Sequence, residues 1–405
     1  MRILIISQYF IPETGAPQSR LLQWAMQLMK KGATVEVLTA MPNYPEMKIH
    51  EGYRGRFYIS EDVQGLKIHR AWIYVGTSKA IFPRLLNYFS FVFTSFLAGV
   101  FRTGKFDYIL CESPPLFLGI SAYLLKVFKG ARLIFNVSDL WPESAEKLGL
   151  VTNRFLLGIT SWLERFLYRK SFMVTGQTKG IVRNISSRFP QKNVFWLKNG
   201  VEAKELEPYA AEEGLREKLG FSQGDFLLLY AGILGFAQGL EVILQAAGKL
   251  RSYPDIKFLI MGSGPEKEKL LRLKASETLC NVYFFDSRPK KEVIPFISIS
   301  DAAVIPLKRL DLFKGAIPSK IFENLALKKP LLLGVEGEAK ELLIETGRAG
   351  LAFTPEDAED LAAKALYLYS HPQERIEFGI NGYNYLLKEF NPTLIVNDFW
   401  NRLNA

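Results

Sequence analysis

Short apolar runs rich in β-branched residues recur through the first half of the chain, at Ile3–Ser7, Thr34–Leu38, Tyr108–Cys111, Leu133–Val137 and Phe172–Thr175. Longer amphipathic stretches separate them. Runs that are apolar throughout predict strands buried on both faces, and the stretches between them predict crossover helices. A second series follows the Asn199-Gly200 turn, at Phe226–Tyr230, Lys257–Met261, Asn281–Phe285, Ala302–Pro306 and Pro330–Leu333. The pattern predicts two doubly wound α/β domains with parallel sheets, residues 1–200 and 201–384. A terminal amphipathic helix, from about 385 to 405, is expected to pack back on the first. A chain of 405 residues is long enough for two such cores.

Charge divides at the same boundary. Residues 1–200 hold 26 Lys and Arg against 12 Asp and Glu, and the remainder holds 25 against 29. A basic half suits nucleic acid or an anionic membrane surface. The stretch from Ile81 to Phe101 decides for the membrane, because it is apolar on nearly every face and flanked by Arg84, Arg102 and Lys105. Asn87, Ser90, Thr94 and Ser95 make it a better interfacial helix than a spanning one. Segments 116–128 and 155–172 also mix Leu and aromatics with Lys and Arg. The two cysteines, Cys111 and Cys280, fall in different halves and suggest reduced thiols, and the N-terminal run reads as a strand rather than a signal peptide. The expected location is cytoplasmic, peripheral on the inner face of the cell membrane.

In doubly wound sheets ligands bind beyond the carboxyl ends of strands. The first such loop carries Gly15 and Ala16, with a helix opening near Pro17 and Arg20 in its first turn, a place where amides can approach a phosphate. It lacks the Gly-x-Gly-x-x-Gly of a dinucleotide site. The loop after Leu133–Val137 carries Asp139 and Glu143. Asp139 stands where a carboxylate can orient or deprotonate a hydroxyl, and Glu143 also suits an ordinary acidic helix start. The third and fourth loops are glycine-rich: Gly232, Gly235, Gln238 and Gly239, then Gly262-Ser-Gly-Pro265. The segment Gly315–Glu323 adds a turn, a helix start near Pro318 and Ser319, the cation Lys320, and Glu323 one turn further on. A carboxylate beside a phosphate site suits a ribose diol. No Asp-x-Asp pair, histidine cluster or Gly-x-Ser-x-Gly elbow is present, so neither a metal site nor a serine hydrolase is predicted.

Together these motifs resemble glycosyltransferase family 4 over nearly the whole chain, and are most similar to its WbuB-like polysaccharide and O-antigen branch. The resemblance implies a GT-B fold, two Rossmann-like domains facing a central cleft. It implies a retaining, metal-independent transfer of an N-acetylated hexosamine or deoxy derivative from a UDP-sugar to a lipid-linked saccharide acceptor. Glu323 would bind the ribose, Lys320 and the Ser319 amide the diphosphate, and Gly15 and Ala16 would border it from the other domain. Asp139 and Lys320 are the catalytic candidates, with Gly232, Gly235, Gln238 and Gly262 on the donor. No cofactor, metal or nucleic acid is implied. Two features depart from the family. Gly315 stands where many members carry a glutamate toward the sugar, and Ile233 and Gln238 stand where a basic pair faces the phosphates. Lys308, Arg309 or Lys314 would then help to neutralise the diphosphate. A UDP-N-acetylglucosamine 2-epimerase-like enzyme, or a non-catalytic membrane-surface scaffold, would share much of this pattern.

Overall fold

The computed structural model describes residues 1–13, 15–44, 47–76, 81–147, 151–201 and 214–404. The chain divides into two compact units, Met1–Glu202 with Pro392–Ala405, and Ala203–Asn391. The first contains β1 (Arg2–Ile6), α1 (Ala16–Lys30), β2 (Thr34–Ala40), β3 (Tyr58–Val63), β4 (Leu66–Ala71), α2 (Ile81–Arg102), β5 (Tyr108–Ser113), α3 (Leu118–Lys129), β6 (Arg132–Val137), α4 (Glu143–Lys147), α5 (Arg154–Lys170), β7 (Met173–Gly176), α6 (Lys179–Arg188) and β8 (Val194–Trp196). Its eight strands lie in the order β3-β4-β2-β1-β5-β6-β7-β8. All neighbours are parallel except the β3–β4 pair.

The apolar runs become the inner strands because helices cover both faces: Ile3, Ile5 and Ile6 of β1 are fully buried. The edge hairpin was not foreseen. Gln64 and Gly65 both take positive φ, 56° and 81°, which matches the twist of a two-residue hairpin turn.

The second unit contains α7 (Leu215–Lys218), β9 (Phe226–Ala231), α8 (Glu241–Lys249), β10 (Ile256–Met261), α9 (Lys267–Ser276), β11 (Val282–Phe285), α10 (Lys290–Ile299), β12 (Ala302–Pro306), α11 (Lys320–Ala326), β13 (Leu331–Gly334), β14 (Gly350–Ala352), α12 (Ala358–Ser370) and α13 (Pro372–Glu389). Its six strands run parallel in the order β11-β10-β9-β12-β13-β14. Strand order reverses at β9 and β12, so the loops after those two strands flank the switch point.

The last helix, α14 (Pro392–Asn404), belongs to the first unit, where Ile395, Val396 and Phe399 join the core around β1 and α1. It starts later than the sequence pattern indicates. Residues 385–389 complete α13 in the second unit, and Pro392 opens a new helix because its ring cannot continue the old one.

Helix α2 inverts the usual amphipathic arrangement. Its uncharged polar side chains face the protein: Thr94 Oγ1 donates to Trp72 O at 2.5 Å, Ser95 Oγ to Ser121 Oγ at 2.8 Å, and Asn87 accepts from Gln8 Nε2 at 2.9 Å. Its outward side carries Phe82, Leu86, Phe89, Phe93 and Phe101, all exposed. By length and composition α2 is the one described helix able to cross a membrane, yet a third of it is buried in the unit.

Candidate functional site

In the second unit the loops after β9 and β10 are zipped by their backbones. Gly232 N donates to Met261 O at 2.9 Å, Leu234 N to Ser263 O at 2.8 Å, and Glu266 N to Leu234 O at 3.0 Å. Gly262 is required by this contact, since a Cβ there would stand 1.8 Å from Gly232 O, on a backbone with φ of +152°. Its lack of a side chain is thus explained by the neighbouring loop.

Lys320, the first residue of α11, reaches the same place. Its Nζ donates to Tyr230 Oη at 2.9 Å and lies 4.0 Å from the centroid of that ring. A Cβ on Gly232 would stand 2.8 Å from the same Nζ, so the missing side chain leaves the ammonium room beside the loop. Tyr230 Oη in turn donates to Ile233 O at 2.6 Å, and burial pushes its phenol further up, so it stays protonated. At the other end of the loop Lys308 Nζ lies 3.4 Å from the centre of the exposed Phe236 ring, and its stem would meet a Cβ on Gly239. A glycine loop with a lysine at each end suits a chain of phosphates. Of the other basic candidates, Arg309 pairs with Glu336 at 3.5 Å and Lys314 with Asp311 at 2.7 Å.

The remaining donor candidates fall around this loop and α11. Gly235 precedes the short turn Phe236–Gln238, and Glu323 lies one turn along α11 from Lys320, half-buried. Helix α11 begins at Lys320, with Ser319 at its cap and Pro318 outside it. The first amide to bond back is that of Ile321, to Pro318 O at 3.1 Å, which leaves the Ser319 and Lys320 N–H groups outside the ladder.

Enclosure of the Lys320 ammonium lowers its pKa from 10.5 to about 8, against the opposing pull of Glu323. A phosphate alongside would favour the cation again. Binding of a nucleoside diphosphate near pH 8 is therefore expected to take up a proton, and affinity to fall as pH rises through 8. Calorimetry in buffers of different ionisation enthalpy measures both.

In the first unit Arg20 is less available than its place in the first turn of α1 implies. Its guanidinium donates to Glu112 Oε1 at 2.6 Å, Ser138 Oγ at 3.0 Å and Asn199 Oδ1 at 3.1 Å, so the charge is spent within the unit. Asn136 Nδ2 donates to Glu112 Oε2 at 2.7 Å, and Thr175 Oγ1 to Asn136 Oδ1 at 2.6 Å. This network ties α1 to the carboxyl ends of β5, β6 and β7. Gly15, with extended backbone, caps α1, and Ala16 is its first residue. Asp139 directly follows Ser138 of the network. Its carboxylate accepts from Ser144 Oγ, which fixes one oxygen. Glu143 pairs with Lys147 at 2.7 Å along α4, as an ordinary surface acid does. Among the described residues no group of three or more His, Cys, Asp or Glu could hold a metal ion.

Residues 15–200 match the family description "Glycosyl transferase 4-like domain", and residues 211–385 match "Glycosyl transferases group 1". The chain is 27% identical, over 92% of its length and 93% of the relative's, to WcaI of Escherichia coli (strain K12), a glycosyl transferase named for colanic acid biosynthesis. Among solved structures, sucrose-phosphate synthase from Thermosynechococcus elongatus aligns with a TM-score of 0.77 at 15% identity, covering 100% of this chain and 99% of that one. Anabaena Alr3699/HepE, solved in complex with UDP, aligns with a TM-score of 0.72 at 15% identity, covering 100% of both chains.

Proposed function

The chain belongs to glycosyltransferase family 4, with the GT-B fold, and from that premise we propose that it moves a sugar from a UDP-sugar to a lipid-linked saccharide in the synthesis of a cell-surface polysaccharide. The observation that carries the donor assignment is the Lys320 ammonium seated on Tyr230 beside Gly232, with Lys308 at the far end of the loop. The UDP complex of a similarly folded protein and the polysaccharide named for WcaI support the same reading.

The two lysines and the amides around Ser319 neutralise the diphosphate, so no divalent cation is needed, and Glu323 accepts from the ribose hydroxyls. As the bond from the anomeric carbon to the diphosphate oxygen breaks, charge grows on that oxygen, and Lys320 stabilises it. The acceptor hydroxyl attacks from the same face and gives its proton to the departing oxygen, which retains the configuration without a sugar–enzyme bond. Asp139, held by Ser144, orients that hydroxyl. The outward apolar face of α2 keeps the protein on the inner face of the membrane, where its lipid-bound acceptor resides. The donor sugar is an N-acetylated hexosamine or a deoxy derivative, a proposal that rests on the family branch.

The test is transfer of label from UDP-sugars, chosen by thermal stabilisation, into a lipid-extractable product in the presence of membranes. Free epimerised sugar formed without any acceptor would instead identify an epimerase. Asp139→Asn is expected to lower kcat at least about 100-fold with UDP affinity unchanged. Full turnover in that variant removes Asp139 from the reaction.

A further inference from the structure

A groove of about 960 Å³ runs along α5, lined by Arg154, Arg165, Arg169 and Lys170 together with Trp162 and Phe166. The two rings stack, with centroids 5.5 Å apart and planes 17° from parallel. None of the four cations is ion-paired among the described residues. The one carboxylate on α5, Glu164, is buried on the opposite side and bonded by Arg188 Nη1 at 2.9 Å. The one acid in the lining is Glu146. The groove therefore keeps a concentrated positive charge next to an aromatic surface, and α5 extends that surface outward with exposed Phe155 and Ile159.

The layer it belongs to explains what such a groove meets. Helix α2 packs on α3, and α3 on α5. Phe96 touches Phe128 edge-on at 6.2 Å, Tyr123 meets Phe166 at 4.8 Å, and Lys126 Nζ donates to Lys170 O at 2.6 Å. All three helices leave bulky apolar side chains exposed, including Phe93, Phe128 and Trp162. Insertion of apolar side chains does not depend on lipid charge, but a cationic groove at the edge of the inserted face does.

We propose that the α5 groove seats the phosphate headgroup of an anionic phospholipid, with the lipid's apolar part lying against Trp162 and Phe166. This rests on the membrane-surface reading of the first unit and adds a charge-reading element to it. Charge complementarity selects the occupant: four cations with no carboxylate partner among the described residues, beside stacked rings, match an amphiphile with an anionic head. Binding strength then divides between two parts of one face, α2 supplying depth and α5 supplying preference for anionic lipid.

The experiment measures co-sedimentation of the full chain with phosphatidylcholine vesicles, with and without phosphatidylglycerol. Arg165→Glu with Arg169→Glu is expected to weaken binding to phosphatidylglycerol vesicles at least tenfold. Binding to phosphatidylcholine alone, and stabilisation by UDP, should stay as in the unaltered protein; the latter also reports that the variant folds. Arg165→Lys with Arg169→Lys should retain most of the anionic preference. Unchanged binding of the charge-reversed protein to phosphatidylglycerol would overturn the proposal. So would displacement from vesicles by millimolar glycerol phosphate, which would indicate a site for free anions, or tighter capture by single-stranded RNA. If the unaltered protein binds neither vesicle yet is stabilised by UDP, the groove proposal fails and the donor assignment stands.

Discussion

Lys320→Met is expected to lower turnover by about a thousandfold, the scale for removing a charge-stabilising donor at a leaving group, while the donor-free protein becomes more heat-stable. The two effects have one cause. The ammonium is held against Tyr230 with its pKa lowered to about 8, which means that the folded chain opposes its charge. That penalty is fully present below pH 8 and is relieved as pH rises from 8 toward 10.5, so the unaltered protein should gain stability over that window relative to the methionine variant. Methionine removes the penalty at every pH and leaves a flexible apolar side chain over the ring. A diphosphate is the group that turns the strained cation into an asset. Stabilisation by UDP should therefore vanish in the variant even as its own melting temperature rises. Kinetics and thermal unfolding with and without UDP, from pH 7 to pH 10, check all of this.

Arg20→Met is expected to cost about 3–5 kcal/mol of stability, the scale for breaking a buried ion pair from one side. Arg20 and Glu112 side chains are 5% and 3% exposed and 2.6 Å apart, so loss of the cation leaves a carboxylate with no route to water. Combining Arg20→Met with Glu112→Leu should recover much of that loss, because no charge then remains buried. Recovery of stability need not restore activity. The network also fixes Ser138, and Asp139 follows it on the same loop, so the double variant should fold and still transfer sugar slowly. Chemical denaturation gives the first result, and kcat at saturating UDP-sugar the second.

The sheets were legible because their strands are buried on both faces, and such strands leave uninterrupted apolar runs in sequence. The β3–β4 hairpin was passed over because β3 is a half-buried edge strand with no apolar run, and β4, though buried, gives His69 and Arg70 positions that an inner strand gives to apolar residues. Strand β14 escaped notice because three residues make no run. Gly350 at its start is placed by backbone crowding, since a Cβ would stand 2.1 Å from Leu331 O.

The candidate site was half legible. Gly232, Gly262 and Lys320 announced themselves through glycine spacing and charge, but Tyr230, the residue that holds Lys320, reads as the last apolar position of a strand. Glu112 and Asn136 did carry a signal. Each is a polar residue inside an otherwise apolar strand, where burial demands a partner. The partners lie up to 92 residues away, and spacing along a single chain does not reveal them. The orientation of α2 likewise turned on which face is buried. Its composition suits a core helix, an interfacial helix or a span, and the sequence does not reveal that Phe91, Thr94 and Ser95 point inward while Phe82, Phe89, Phe93 and Phe101 face out.

The most direct test is a calorimetric titration of UDP into the full chain at pH 7 and at pH 9, with a metal chelator present. One site per chain is expected, with affinity that declines above pH 8 and loss of binding in Lys320→Met. Absence of UDP binding in the unaltered protein, or equal binding by the methionine variant, would contradict the donor assignment.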